Sequence, residues 1–316
     1  MSDKLLRDII KSTGFPPVPP NIGTNYTNTV HNDTYEFVNP VKLDCSGKAV
    51  LITGGNKGIG KGIAISYAKA GASHIAITSR SDASAIADEI KTTAVSAGRS
   101  APTVLAFQVD VLDKASVKAA AETVEREWGR LDILISNAGF LAPYEKILDS
   151  DDDDWWQSFE TNIRGMYFVA KALLPLMLTG GDKTIISISS TGVMHYHTGG
   201  SSYQISKLAL LRLTEFLMAE YADQGEAESR KTKGLLTYSI HPGGVATDLA
   251  SNLPQQTQAW LKCTPALGGD TIAFLTTQRQ DWLAGRYLSA MWDMQELFSK
   301  REEIIEKDLL RMKMAF

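Results

Sequence analysis

The sequence predicts an α/β chain: a single domain built on one doubly wound parallel sheet, with an N-terminal arm before it and a C-terminal helical extension after it. Three observations carry this expectation. From Lys48 onward short, nearly unbroken apolar runs alternate with longer amphipathic ones, and the first apolar run leads straight into a glycine-rich turn. The 316 residues are 44% hydrophobic and 22% charged, ordinary usage for a chain that builds a large core. Length alone fits one or two domains, because α/β chains of this size commonly fold as one. The division expected is an arm over 1–45 and the sheet-bearing domain over 46–316.

In chain order, the arm has Pro16, Pro17, Pro19 and Pro20 close together, then an Asn/Thr-rich stretch to Asn39 and Pro40. It reads either as a flexible leader or as an arm packed on the body or a partner subunit through Phe15, Tyr26, Tyr35 and Phe37. Then come the strand AVLIT, a helix to Lys69, the strand HIAIT, a helix near 83–97 and the strand TVLAFQVDV. A helix near 113–128, the strand LDILISN, a helix near 154–179, TIISISS, a helix near 201–221 and LLTYSIHPGG complete the pattern. Apolar strands separated by helices imply parallel pairing, because parallel neighbours need crossovers and right-handed crossovers cover both faces. In the helix near 154–179, Trp155, Phe159, Asn162, Met166, Val169, Leu173 and Met177 recur every three or four residues and read as a core stripe. Asp151 to Asp154 suit a helix start, where exposed N–H groups favour carboxylates, and 226–234 reads as a solvated loop.

Composition excludes several functions. Lys plus Arg less Asp plus Glu is 32 − 36 = −4, and no long basic run occurs, so nucleic acid is not an expected partner. Cys45 and Cys263 have neither disulfide-framework nor metal-ligand spacing, so no metal is expected. The opening MSDKLLRDIIKSTG has no unbroken apolar core, and Lys171 and Pro175 interrupt the most apolar window, so the expectation is a cytoplasmic chain with no membrane partner.

The turn TGGNKGIG, Thr53 to Gly60, lies between a strand and a helix, which brings backbone N–H groups and the positive helix end to a phosphate. Gly55 to Lys61 spell most of a P-loop, but Gly62 stands where such a loop needs Ser or Thr for Mg²⁺. The spacing also departs from GxGxxG; by itself the turn is compatible with simple tight packing. Downstream, Tyr203 and Lys207 are four apart in a helical stretch, so an ammonium can sit beside a phenol and lower its pKa. That makes tyrosine usable in acid/base work. Ser190 ends the apolar run TIISIS at the rim where parallel sheets bind ligands, and its hydroxyl can hydrogen-bond a reacting oxygen.

These residues resemble the classical short-chain dehydrogenase/reductase family over about 46–300, a family with a Rossmann fold. Thr53 to Gly60 matches its TGxxxGxG, Asp110 its acidic residue near the adenine, Asn137-Ala138-Gly139 its NAG, and Asn162 its helix asparagine. Ser190, thirteen residues before Tyr203, matches its serine; Tyr203 and Lys207 match YxxxK; Pro242-Gly243 with Thr247 matches the segment over the nicotinamide. The resemblance implies Asn162, Ser190, Tyr203 and Lys207 as catalytic residues, Asn162 supporting a water that links Lys207 to solvent and Lys207 also holding the nicotinamide ribose. It implies cofactor contacts from Thr53, Gly54, Asn56, Lys57, Gly58, Ile59, Gly60, Ser79, Arg80, Asp110, Val111, Asn137, Ala138, Gly139, Tyr203, Lys207, Pro242, Gly243, Val245 and Thr247. The tail after Gly285 and the long arm resemble filamentous-fungal relatives, including ones in secondary metabolism.

HIAIT ends in Thr78-Ser79-Arg80 without the acid of an NAD-selective site, and Lys57 adds a second cation, so NADP(H) is the expected cofactor. Asp82 reads as a cap for the next helix. The segments that form substrate pockets in the family carry Val193, Met194, His195, Tyr196 and His197, then Phe140, Leu141, Pro143 and Tyr144, then Val245, Leu249, Leu253 and Trp260. Of these, Phe140, Met194, His195, Tyr196 and Trp260 are the expected pocket residues, an apolar and aromatic set suited to a bulky hydrophobic ketone. The activity expected is NADPH-dependent carbonyl reduction or its reverse. Reduction of a C=N or activated C=C bond, and non-catalytic sensing of NADP(H), are the alternatives. The family's usual helix pairing points to a homodimer or homotetramer.

Overall fold

Strands made mostly of apolar and small residues have no face to offer water, and the central ones here offer none. In the computed structural model, which describes residues 23, 25–222 and 234–314, β1 (Ala49–Thr53), β4 (Ile133–Ser136), β5 (Thr184–Ile188) and β6 (Leu236–His241) are buried throughout. With β2 (His74–Ser79), β3 (Thr103–Gln108) and the short β7 (Tyr287–Ser289) they form one sheet in the order β3-β2-β1-β4-β5-β6-β7. Every pairing is parallel. β3, at the edge, keeps partly exposed residues.

Side chains alternate across the sheet. Val50 and Ile52 join one core with Ile63 and Tyr67 of α1 (Gly58–Lys69), Ile90 of α2 (Ser84–Ser96) and Ile272 of the late helix Pro265–Thr277. Leu51 joins the other with Val124 of α3 (Lys114–Trp128), Leu173 of the helix ending at Leu178, and Leu210 of the helix Ser201–Tyr221. The strand order reverses direction between β1 and β4, which opens a crevice at the carboxyl ends of the strands.

Three local features differ from the sequence reading. The helix expected near 154–179 is α4 (Asp152–Phe159) and α5 (Met166–Leu178) joined by a π-helical stretch, Glu160–Gly165. The extra residue per turn fits close packing, since a Cβ at Gly165 would lie 2.6 Å from Val111 Cγ2. After α6 (Ser201–Tyr221) comes α7 (Pro265–Thr277), which periodicity did not reveal although Thr264-Pro265 is a start signal: Thr264 accepts from Leu267 N and Pro265 opens the helix. α7 lies against α1 at backbone distance, because a Cβ at Gly62 would be 2.6 Å from Pro265 O. Finally, the tail forms two short helices, α8 (Met294–Ser299) and α9 (Arg301–Glu306), rather than one.

At the start of α4, Asp151 accepts from Asp154 N, the capping role that cluster suggested, and Asp82 accepts from Ser84 N at the start of α2. Residues 25–45 of the arm lie on the body. Val30 bridges Trp292 antiparallel, Tyr26 meets the Trp292 ring at 5.1 Å, Phe37 meets Phe274 at 5.1 Å, and Tyr35 stacks on His31 at 3.5 Å. Phe15, the prolines at 16–20 and the loop residues 226–233 lie outside the described residues. Among the described residues no helix is long and apolar enough to cross a membrane.

Candidate active site

The crevice is lined first by the glycine turn. Gly54 and Gly58 have φ of +65° and +53°, which side chains disfavour, and a Cβ at Gly60 would lie 2.1 Å from Gly54 O. The turn therefore wraps tightly onto the start of α1, a cradle whose bare backbone suits the phosphates of a dinucleotide. Thr53 Oγ1 accepts from the N–H groups of Asn137 and Ala138, each at 3.0 Å, and Asn137 Nδ2 donates to Thr53 O at 2.8 Å and Gly54 O at 3.1 Å. These two candidate cofactor residues thus spend their polar atoms joining the ends of β1 and β4.

At the end of β2, Ser79 Oγ bonds Ser81 O and Arg80 is exposed. Asn56 Nδ2 donates to Ser81 Oγ at 3.0 Å, tying the glycine turn to the segment just after Arg80. Lys57 stands at the N-cap of α1, its Nζ 2.7 Å from Asp248 Oδ2. Asp110, exposed beyond β3, accepts from Leu112 N; Val111 is buried. Over the turn lies the segment Pro242–Thr247. Gly243 has φ +98°, Val245 bridges Cys263, and a Cβ at Gly58 would be 3.1 Å from Thr247 Cγ2.

Ser190 caps a 3-10 turn two residues beyond β5, accepting from Gly192 N at 3.1 Å, and its hydroxyl lies near enough to the Tyr203 phenol to lower that phenol's pKa. Tyr203 and Lys207 share one face of α6, as their spacing required, but the ammonium does not turn toward the phenol oxygen. Lys207 Nζ donates to Ile188 O at 2.8 Å and lies 5.7 Å from the Tyr203 ring centre. Burial pushes the phenol up to about 12, partly offset by the Ser190 hydroxyl, and pushes the buried Lys207 down to about 8. The expected lowering of the phenol by the lysine is therefore absent here: desolvation outweighs a cation whose hydrogen bond goes elsewhere.

Asn162, on the π-helical stretch, accepts from Phe140 N at 2.8 Å and donates to Phe140 O at 3.0 Å and Ser206 Oγ at 2.9 Å. Ser206 in turn donates to Tyr203 O at 2.8 Å, so Asn162 fixes both the strand β4 exit and the tyrosine helix. On the open side, Tyr144 packs against Gly200 at the start of the tyrosine helix; His197 meets Tyr144 edge-on at 5.8 Å, and His195 lies 6.0 Å from His197. Burial holds both histidines below the usual imidazole range. Phe140 is half-buried and Met194 37% exposed, whereas Tyr196 (87%) and Trp260 (79%) stand almost fully in solvent. The structure does not gather those last two into an enclosed pocket. Ser206 and Asp248 carry no motif; their partners lie 44 and 191 residues away, beyond any periodicity signal.

A family model described as short chain dehydrogenase matches residues 48–258. The short chain dehydrogenase mpl6 of Monascus purpureus is 45% identical over 297 residues, covering 94% of this chain and 99% of its own. The short chain dehydrogenase pigC of Monascus ruber is 41% identical, covering 92% of this chain and 94% of its own. A solved 3-oxoacyl-[acyl-carrier protein] reductase from Brucella melitensis, in complex with NAD, superposes with a TM-score of 0.65 at 23% identity, covering 77% of this chain and 95% of its own; at that identity the likeness concerns the fold.

Proposed function

Because this chain belongs to the short chain dehydrogenase family of oxidoreductases, we propose that it is an NADP(H)-dependent carbonyl reductase acting on a bulky, hydrophobic ketone. The observation that carries this reading is the gathering of Ser190, Tyr203 and Lys207 at the glycine-lined crevice, with Lys207 Nζ 5.7 Å from the Tyr203 ring and beside Gly139. When bound, the reduced nicotinamide supplies the hydride. Everything else falls to the chain's own groups. Tyr203, a phenol already protonated at neutral pH and raised further by burial, is in the form that donates a proton to the carbonyl oxygen. Ser190 hydrogen-bonds that oxygen as negative charge develops on it. Lys207, still mostly protonated at neutral pH, holds the ribose and resupplies the proton. Asn162 keeps Phe140 and the tyrosine helix in place.

Arg80, exposed where an NAD-selective site carries an acid, receives the 2′-phosphate together with Lys57. The remaining candidate contacts follow the cradle and the segment above it: Thr53, Gly54, Asn56, Gly58, Ile59, Gly60, Ser79, Asp110, Val111, Asn137, Ala138, Gly139, Pro242, Gly243, Val245 and Thr247. Phe140, Met194 and His195 face the substrate, with Tyr196 and Trp260 at the outer lip. We place the chain in the cytosol as a homodimer or homotetramer, with 46–316 as the catalytic domain and 1–45 as the arm.

The test is oxidation of NADPH with a panel of hydrophobic ketones, imines and enones, repeated with Arg80→Ala. Turnover of ketones is expected, with the variant raising the NADPH dissociation constant about tenfold more than that of NADH. Turnover of imines or enones alone would replace the carbonyl reading, binding without turnover would replace the enzyme reading, and equal loss for both cofactors would remove the phosphate role.

A further inference from the structure

We propose that Asp248 is a specificity-determining residue of this site: its carboxylate pairs with Lys57 and competes with the cofactor's 2′-phosphate for that ammonium, so it sets how strongly the chain distinguishes NADPH from NADH. This rests on the reading above, in which the phosphate lies between Arg80 and Lys57.

Three observations place Asp248 in that position. Lys57 Nζ and Asp248 Oδ2 are 2.7 Å apart, with side chains 67% and 77% exposed, so the pair is open to an incoming anion. The neighbouring Thr247 rests on the glycine turn, its methyl 3.1 Å from where a Cβ of Gly58 would be. The Asp248 carbonyl accepts from Ser251 Oγ at 2.6 Å as the 3-10 turn Leu249–Asn252 begins. On the other side, the Asn56–Ser81 bond ties the residue before Lys57 to the residue after Arg80, so the two cations are carried by segments held together at the glycine turn.

The physics is a cation shared between two anions. An approaching 2′-phosphate must draw Lys57 from its carboxylate, and a cofactor without the 2′-phosphate makes no such demand on Lys57. Because the pair is exposed, the opposition weakens at ionic strengths where the Debye length falls to a few Å.

Titration of the enzyme with NADPH and with NADH, read by nicotinamide fluorescence, tests this. Asp248→Asn should tighten NADPH about fivefold at low salt and change NADH by less than about twofold, the difference shrinking at about 1 M salt. In a Lys57→Met background the same substitution should have a much smaller effect on NADPH. An unchanged NADPH constant, equal changes for both cofactors, or a full effect persisting without Lys57 would each overturn the proposal. Arg80→Ala separates the two levels. If it shifts the NADPH/NADH ratio while Asp248→Asn does not, the competition alone is wrong; if neither shifts it, the phosphate reading falls as well.

Discussion

At Tyr203, two local effects oppose each other: burial raises the phenol and the Ser190 hydroxyl lowers it, with burial the larger. The outcome is a protonated acid rather than a base at neutral pH, which suits reduction. Tyr203→Phe removes only the hydroxyl, so we expect kcat to fall by about 10²–10⁴ while the NADPH dissociation constant stays within about threefold. Steady-state turnover beside a fluorescence titration checks both, and turnover near wild type would remove Tyr203 from the chemistry. The residue types and their four-residue spacing were legible in the sequence. The direction of Lys207 was not, because its acceptor, Ile188 O, belongs to a strand 19 residues away and enters reach only when β5 and α6 pack together.

Among the elements, the glycine turn is the least tolerant of change. Gly60 cannot take a side chain without moving backbone: a Cβ there meets Gly54 O at 2.1 Å and Asn137 Nδ2 at 2.5 Å. Gly60→Ala should therefore cost about 3 kcal/mol and abolish NADPH binding. Gly180→Ala, where a Cβ would meet nothing within 4 Å, should shift stability by less than about 0.5 kcal/mol. Urea unfolding of the two variants checks the contrast, and equal shifts would show that the turn is not so tightly closed. Motif spacing located this turn without help. The π-helical stretch and α7 escaped the same reading for different reasons. The π-helical stretch holds Gly165 close to Val111, a neighbour distant in the chain that periodicity does not reveal. α7 is buried on most sides, so its pattern lacks the polar stripe that betrays an amphipathic helix.

For the molecule as a whole, four histidines contribute to its response to acid. Burial lowers His74, His195, His197 and His241, the last to about 4. His241 ends β6 with no hydrogen-bond partner for its Nδ1, so the fold binds its proton reluctantly. Between about pH 6.5 and 4 the unfolded chain takes up a proton there that the folded chain does not, so stability rises with pH through that window and falls on acidification. His241 alone contributes about 3 kcal/mol to that loss. Urea midpoints measured from pH 7 to 4.5 should decline less steeply in His241→Gln, and parallel slopes would assign the acid sensitivity elsewhere. The arm belongs to this scale too. Trp292 Nε1 donates to Gly23 O, and Glu296 accepts from Asn28 N and Thr29 N, joining segments more than 260 residues apart. The sequence by itself determined the parallel α/β sheet, the glycine cradle and the Ser190, Tyr203 and Lys207 set, because strand periodicity, turn chemistry and helical spacing are local and survive in one dimension. Tertiary structure alone decided that the arm lies on the tail, that Lys57 meets Asp248, and that burial rather than Lys207 rules the phenol. Each of those depends on which distant groups share a small volume and how much water remains there.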